Sequence, residues 1–161
     1  MVHLSPILSP RSKSATKGTK HRFHFVFLCL LVANWPNMQT TIFIAFAGLA
    51  GTLIRYWLSG FVARQYGETF PWGTLAVNLI GSFLAGAIYY LAEERFLISP
   101  PVRTVIFIGL LGGFTTFSSY GLQTFTLLRD GQIGLATLNI AVSNVLGLFM
   151  VWAGYFVSKA L

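Results

Sequence analysis

The sequence predicts an all-α integral membrane protein with four transmembrane helices. Three observations carry that prediction. The 161 residues are 55% hydrophobic and only 9% charged, with a mean hydropathy of +0.69; a soluble domain is usually about 25% charged. Four apolar stretches each have the length a helix needs to cross about 30 Å of hydrocarbon. The connectors between them are short and carry nearly all the charge of the body. Helices are required because lipid cannot satisfy backbone polar groups.

Residues 1–22 are rich in Ser, Thr, Lys and Arg, the composition of a disordered tail. Residues 23–33, FHFVFLCLLVA, form an apolar run too short to span. This 1–37 segment reads either as a targeting segment or as sequence upstream of a true start at Met38. The four spans expected after it are 41–63, 72–92, 102–128 and 133–157, which makes 38–161 one membrane domain. The first is interrupted by Arg55, the second is entered through Pro71, and the third is the most irregular. There Gly109, Gly112 and Gly113 precede Phe114-Thr115-Thr116-Phe117-Ser118-Ser119-Tyr120. Adjacent glycines followed by hydroxyls weaken a helix, so a break is expected near the middle of this span. Gly109 and Gly113 are also spaced to let another helix approach closely.

Charge divides unevenly. Arg11, Lys13, Lys17, Lys20 and Arg22 stand without an acid in 1–37, so the pI near 10.0 belongs mostly to the tail. No basic patch of the kind that binds nucleic acid is present in the body. On one side of the membrane the body's loops and C-terminus place Arg95, Arg103 and Lys159; on the other, Arg64 and Arg129. Three against two is almost no topological instruction, and such a chain can insert both ways round.

The polar residues at membrane depth exclude several chemistries. No Asp, Glu or His is expected inside a span, where proton-coupled transporters carry one. The single cysteine, Cys29, and all three histidines lie in the N-terminal segment, so the body lacks the usual metal ligands and the parts of a Ser-His-Asp triad. This is not an enzyme's residue set. What remains is neutral. Thr74, Asn78 and Ser82 share one helix face at i, i+4, i+8, and Asn139, Ser143 and Gly147 repeat that spacing. Asn78 reads either as interhelical glue or as a ligand. Arg55, beside Tyr56 and Trp57, reads as a snorkelling interfacial residue or as part of a pathway.

These residues resemble the CrcB/Fluc family of fluoride channels. The likeness rests on Gly51-Thr52-Leu53-Ile54-Arg55-Tyr56, on Gly73-Thr74 through Asn78 and Gly81, and above all on Gly112-Gly113-Phe114-Thr115-Thr116-Phe117-Ser118-Ser119. The resemblance implies a fluoride-selective channel in the inner membrane of a prokaryote, exporting fluoride passively. It implies an antiparallel, dual-topology homodimer with a central sodium ion on the backbone carbonyls of Gly112 and Thr115. It places Asn78, Phe117, Tyr120 and Ser143, with Thr74, Ser118 and Ser119, along the fluoride pathway and Arg55 at its vestibule. Three positions leave the family pattern: Tyr120 for a phenylalanine, Gln123 for a glutamate and Asn139 for a tyrosine. The rival reading is a small multidrug-type four-helix transporter. It needs an intramembrane carboxylate and leaves the glycine–hydroxyl run unexplained.

Overall fold

The computed structural model describes residues 38–161, and the expectations for 1–37 fall outside the described residues. Every element is helical: α1 (Met38–Tyr66), α2 (Trp72–Tyr89), α3 (Pro100–Thr104), α4 (Gly112–Phe114), α5 (Phe117–Arg129) and α6 (Ile133–Ala160). A π-helical turn, Tyr90–Glu94, extends α2, and a second π-helical stretch, Val105–Leu111, joins α3 to α4. By length and composition these make four membrane spans: Met38–Tyr66, Trp72–Glu94, Pro100–Arg129 and Ile133–Ala160.

The spans are longer than the apolar runs alone indicate. Glu93 and Glu94, expected in a connector, are helical residues. Arg103 pairs with Glu93, and Tyr155 Oη donates to Glu94 Oε1 at 2.7 Å. These bonds join residues from different spans, so hydropathy alone does not reveal them. Pro101 and Pro100 open α3, where a missing N–H costs nothing. The turn between α5 and α6 follows from Gly131, whose φ of +74° suits a residue without Cβ. Gln132 N–H donates to Leu127 O and Gly131 N–H to Leu128 O, the paired bonds of a Schellman cap.

Large apolar side chains such as Phe43, Phe46, Leu148 and Trp152 point outward, as a lipid-solvated surface requires. Inside, small residues set the packing. The most extensive helix contact joins α2 and α6. A Cβ on Gly86 would strike the Val151 carbonyl, and one on Gly154 the Phe83 carbonyl. The α1 helix meets the third span in the same way: a Cβ on Gly51 would meet Leu110 O, and one on Gly113 would meet Gly48 O. Lipid tails are as apolar as leucine, so helices associate in a membrane largely through such close backbone approach. Gly109 and Gly113 therefore do serve helix packing, with α1 as the partner.

Candidate functional site

The site is organised by two residues that leave helical geometry. Thr115 (φ −83°, ψ 159°) and Thr116 (φ −149°, ψ 112°) are extended and lie between α4 and α5. Their dihedral angles remove the i→i+4 bonds that would run across them, and side chains take up several of the freed groups. Asn78, from α2, faces Thr116 with both ends of its amide: Nδ2 donates to Thr116 O at 3.1 Å, and Oδ1 accepts from Thr116 N–H at 2.9 Å. Arg55, from α1, donates through Nε to Gly113 O at 3.0 Å. A cation at that helix C-terminus is favourable for the dipole. Thr116 Oγ1 caps α5 by accepting from Ser119 N–H at 3.2 Å and donates to Ser119 Oγ at 3.0 Å. Thr115 Oγ1 donates to Leu111 O at 2.9 Å.

Not all the expected site residues come together. Asn78, Gly112, Thr115 and Phe117 line one cavity of about 370 Å³, with Ser82 and Thr116. Thr74 shares a helix face with Asn78 but opens into a second cavity of about 500 Å³, with Ser59, Gln123 and Thr126. The Gln123 Oε1 atom is buried there without a hydrogen-bond partner. Ser118 is exposed, and its Oγ lies 3.3 Å from Thr116 Oγ1. Phe117 is 81% exposed, and its ring centroid lies 5.4 Å from that of Tyr120. Tyr120 and Ser143 belong to a polar seam between α5 and α6. Ser143 Oγ donates to Asn139 Oδ1 at 3.4 Å, Asn139 Nδ2 to Thr124 Oγ1 at 2.8 Å, and Thr124 Oγ1 to Tyr120 O at 2.8 Å. Asn144 Nδ2 donates to Tyr120 Oη at 3.2 Å.

Thr124 is the residue that reading the sequence passes over. It stands four residues after Tyr120, on the same face of α5, and that spacing is the signal that could have found it. Asn139, read both as part of the polar stripe with Ser143 and as a departure from the family pattern, is 2% exposed and forms the centre of the seam.

Fold and site together define a small multi-pass membrane protein whose interior polar groups are mainly hydroxyls and amides. The family profile described as CrcB-like protein, Camphor Resistance (CrcB), matches residues 42–155, which take in most of all four spans. The chain belongs to this family. It is 48% identical over 124 residues, 77% of its own length and 100% of the relative's, to a protein of Citrifermentans bemidjiense named fluoride-specific ion channel FluC. Proteins of the same name from Opitutus terrae (48% identity, 77% of this chain and 96% of that one) and Geobacter sulfurreducens (46%, 77% and 100%) match similarly.

Proposed function

We propose that this chain is a fluoride-selective ion channel that lowers cytoplasmic fluoride by passive export. The observation that carries this is the likeness to proteins named fluoride-specific ion channels, at 48% identity across the full length of one relative. The chemistry of the site is consistent with it. Fluoride is small and strongly hydrated, so neutral donors must replace its water. Asn78 spends one N–H on Thr116, and an amide nitrogen carries a second. Phe117 and Tyr120 offer ring edges with partial positive charge, and Ser143, Thr74, Ser118 and Ser119 offer hydroxyls. Weak neutral donors bind an ion loosely enough to release it. Arg55 uses Nε on Gly113, and its remaining N–H groups can draw anions to a vestibule. An inside-negative potential favours exit of an anion.

The assembly in this proposal is an antiparallel, dual-topology homodimer in a prokaryotic inner membrane, with the third span functionally broken at the extended pair. The face bearing Gly112, Phe117 and Ser118 is exposed on the single chain. Backbone that leaves helical geometry at membrane depth needs protein or a cavity beside it, not lipid, and a second copy supplies that cover. The proposal includes a structural sodium ion on the carbonyls of Gly112 and Thr115. The donor set fits: Thr116 N–H goes to Asn78 rather than to Gly112 O, and Ser119 N–H goes to Thr116 Oγ1 rather than to Thr115 O. Both carbonyls thus lack their usual helical donor, and hard cations take such oxygens. When bound, the ion would supply positive charge that ties two copies together.

The experiment is fluoride release from liposomes carrying the purified protein, read with a fluoride electrode. Release without a proton gradient, and without chloride release, is the expected result. Release that required a pH gradient would favour the multidrug-type transporter instead, and equal chloride release would remove the selectivity.

A further inference from the structure

The two rungs of the seam between α5 and α6 differ in kind. The first, Asn139 to Thr124, is buried, and its further bonds, from Ser143 Oγ and to Tyr120 O, stay within the seam. The second, Asn144 to Tyr120, is open to the surroundings, and its hydrogen bonds have a fixed direction. Asn144 Nδ2 lies 2.7 Å from the Ile140 carbonyl oxygen, which can only accept. That contact settles which end of the amide is nitrogen. The same nitrogen lies 3.2 Å from Tyr120 Oη. An amide nitrogen only donates, so the phenol oxygen accepts, and the phenol's own hydrogen must point away from Asn144. The Phe117 ring stands beside the Tyr120 ring, 5.4 Å away between centroids and tilted by 50°.

We infer that Asn144 is a positioning residue that holds the Tyr120 hydroxyl as a hydrogen-bond donor to the permeating anion. Tyr120 thereby joins a directed O–H to the ring edge that a phenylalanine would offer. The anion is taken to be fluoride, which rests on the channel reading above. Without Asn144 the phenol is free to turn and spend its hydrogen on a nearby protein acceptor.

The test reads the phenol directly. A phenol that donates to fluoride absorbs at longer wavelength, so purified protein is titrated with sodium fluoride against sodium chloride at equal ionic strength, and the tyrosine difference spectrum is recorded. The wild type should show a fluoride-dependent red shift that Tyr120→Phe abolishes. Asn144→Ala should reduce it at least threefold, whereas Asn144→Gln, which keeps the amide donor, should retain most of it. Fluoride release from liposomes completes a double-mutant cycle. One neutral hydrogen bond corresponds to about a three- to tenfold effect, so each single variant should slow release by about that factor. The Tyr120→Phe/Asn144→Ala pair should be no slower than the slower single variant. A red shift that survives Tyr120→Phe, a full shift in Asn144→Ala, or single effects that multiply in the pair would overturn the inference. Failure of the channel reading is separately visible: wild-type liposomes would then release no fluoride, whatever the spectrum shows.

Discussion

Asn78→Asp separates the clamp that Asn78 forms on Thr116 from the anion-donor role proposed for it. The variant keeps the shape and keeps an acceptor for Thr116 N–H, now at 2.9 Å from Oδ1. It loses the donor to Thr116 O, which lies 3.1 Å from Nδ2, and sets a second oxygen against that carbonyl. An unpaired polar group costs about 1–3 kcal/mol when buried, and the lower end applies because this contact is only partly buried. The effect on an anion is larger. At roughly 4 Å and an effective dielectric near 20, a carboxylate repels a unit anion by about 4 kcal/mol. At about 1.4 kcal/mol per decade of rate, that slows fluoride by nearly three orders of magnitude. Asn78→Ala is the control, since it loses both bonds to Thr116 and adds no charge. Asn78→Asp should therefore lose less thermal stability in detergent than Asn78→Ala while losing more fluoride release from liposomes. Release that follows stability across the two variants would refute a place for Asn78 on the ion's path and leave it as a clamp alone.

The other predictions use the same assays. Gly86→Val should prevent recovery of folded protein in size-exclusion chromatography, because its side chain meets the Val151 backbone; Gly134→Val, with open space around it, should be neutral. Phe117→Ile and Tyr120→Ile should each slow fluoride release by well over tenfold, whereas Tyr120→Phe, which keeps the ring edge, should show only the slowing by about three- to tenfold of one lost hydrogen bond. Because Phe117 is 81% exposed, its substitution should change the stability of the single chain by less than about 0.5 kcal/mol. A chain begun at Met38 should show Lys159 labelled from both faces of the membrane, as the three-against-two distribution of basic loop residues requires; labelling from one face only would rule out dual topology.

The four spans were legible because length and apolarity are local properties of the chain. Their ends were less so. Arg103 with Glu93 and Tyr155 with Glu94 pair across spans, and a pairing between distant residues leaves no local trace. The π-helical stretch Val105–Leu111 was not visible either, since Val-Ile-Phe-Ile-Gly-Leu-Leu is an apolar run whose one glycine, Gly109, equally suits close packing on α1. At the site, spacing placed Asn78 on a polar face, and the family resemblance put Phe117 and Tyr120 on one pathway. It could not say that Asn78 faces a backbone 38 positions away. Nor could it say that Thr74, one turn earlier on the same face, opens into a different cavity. The choice between packing and ligation left open for Asn78 is therefore only partly resolved by its contacts: one N–H packs, and the other belongs to the proposal.

The neutrality of this interior has a cause that precedes any ion. Thr116 presents both a backbone donor and a backbone acceptor toward α2, and each needs a partner at membrane depth. A lysine or arginine at position 78 could serve only the carbonyl, and an ionised carboxylate only the N–H. An amide carries both functions on one planar end, and Asn78 meets Thr116 with both. Arg55, the cation that bonds this break among the described residues, is committed through Nε to Gly113 O, at a helix end whose dipole favours positive charge. The extended pair thus selects neutral groups around itself in order to fold. The amide that closes it also has an N–H left over, on a residue that lines a cavity with Gly112 and Phe117. A donor of that kind, uncharged and held in place by the backbone, is suited to an anion that must be dehydrated and then let go.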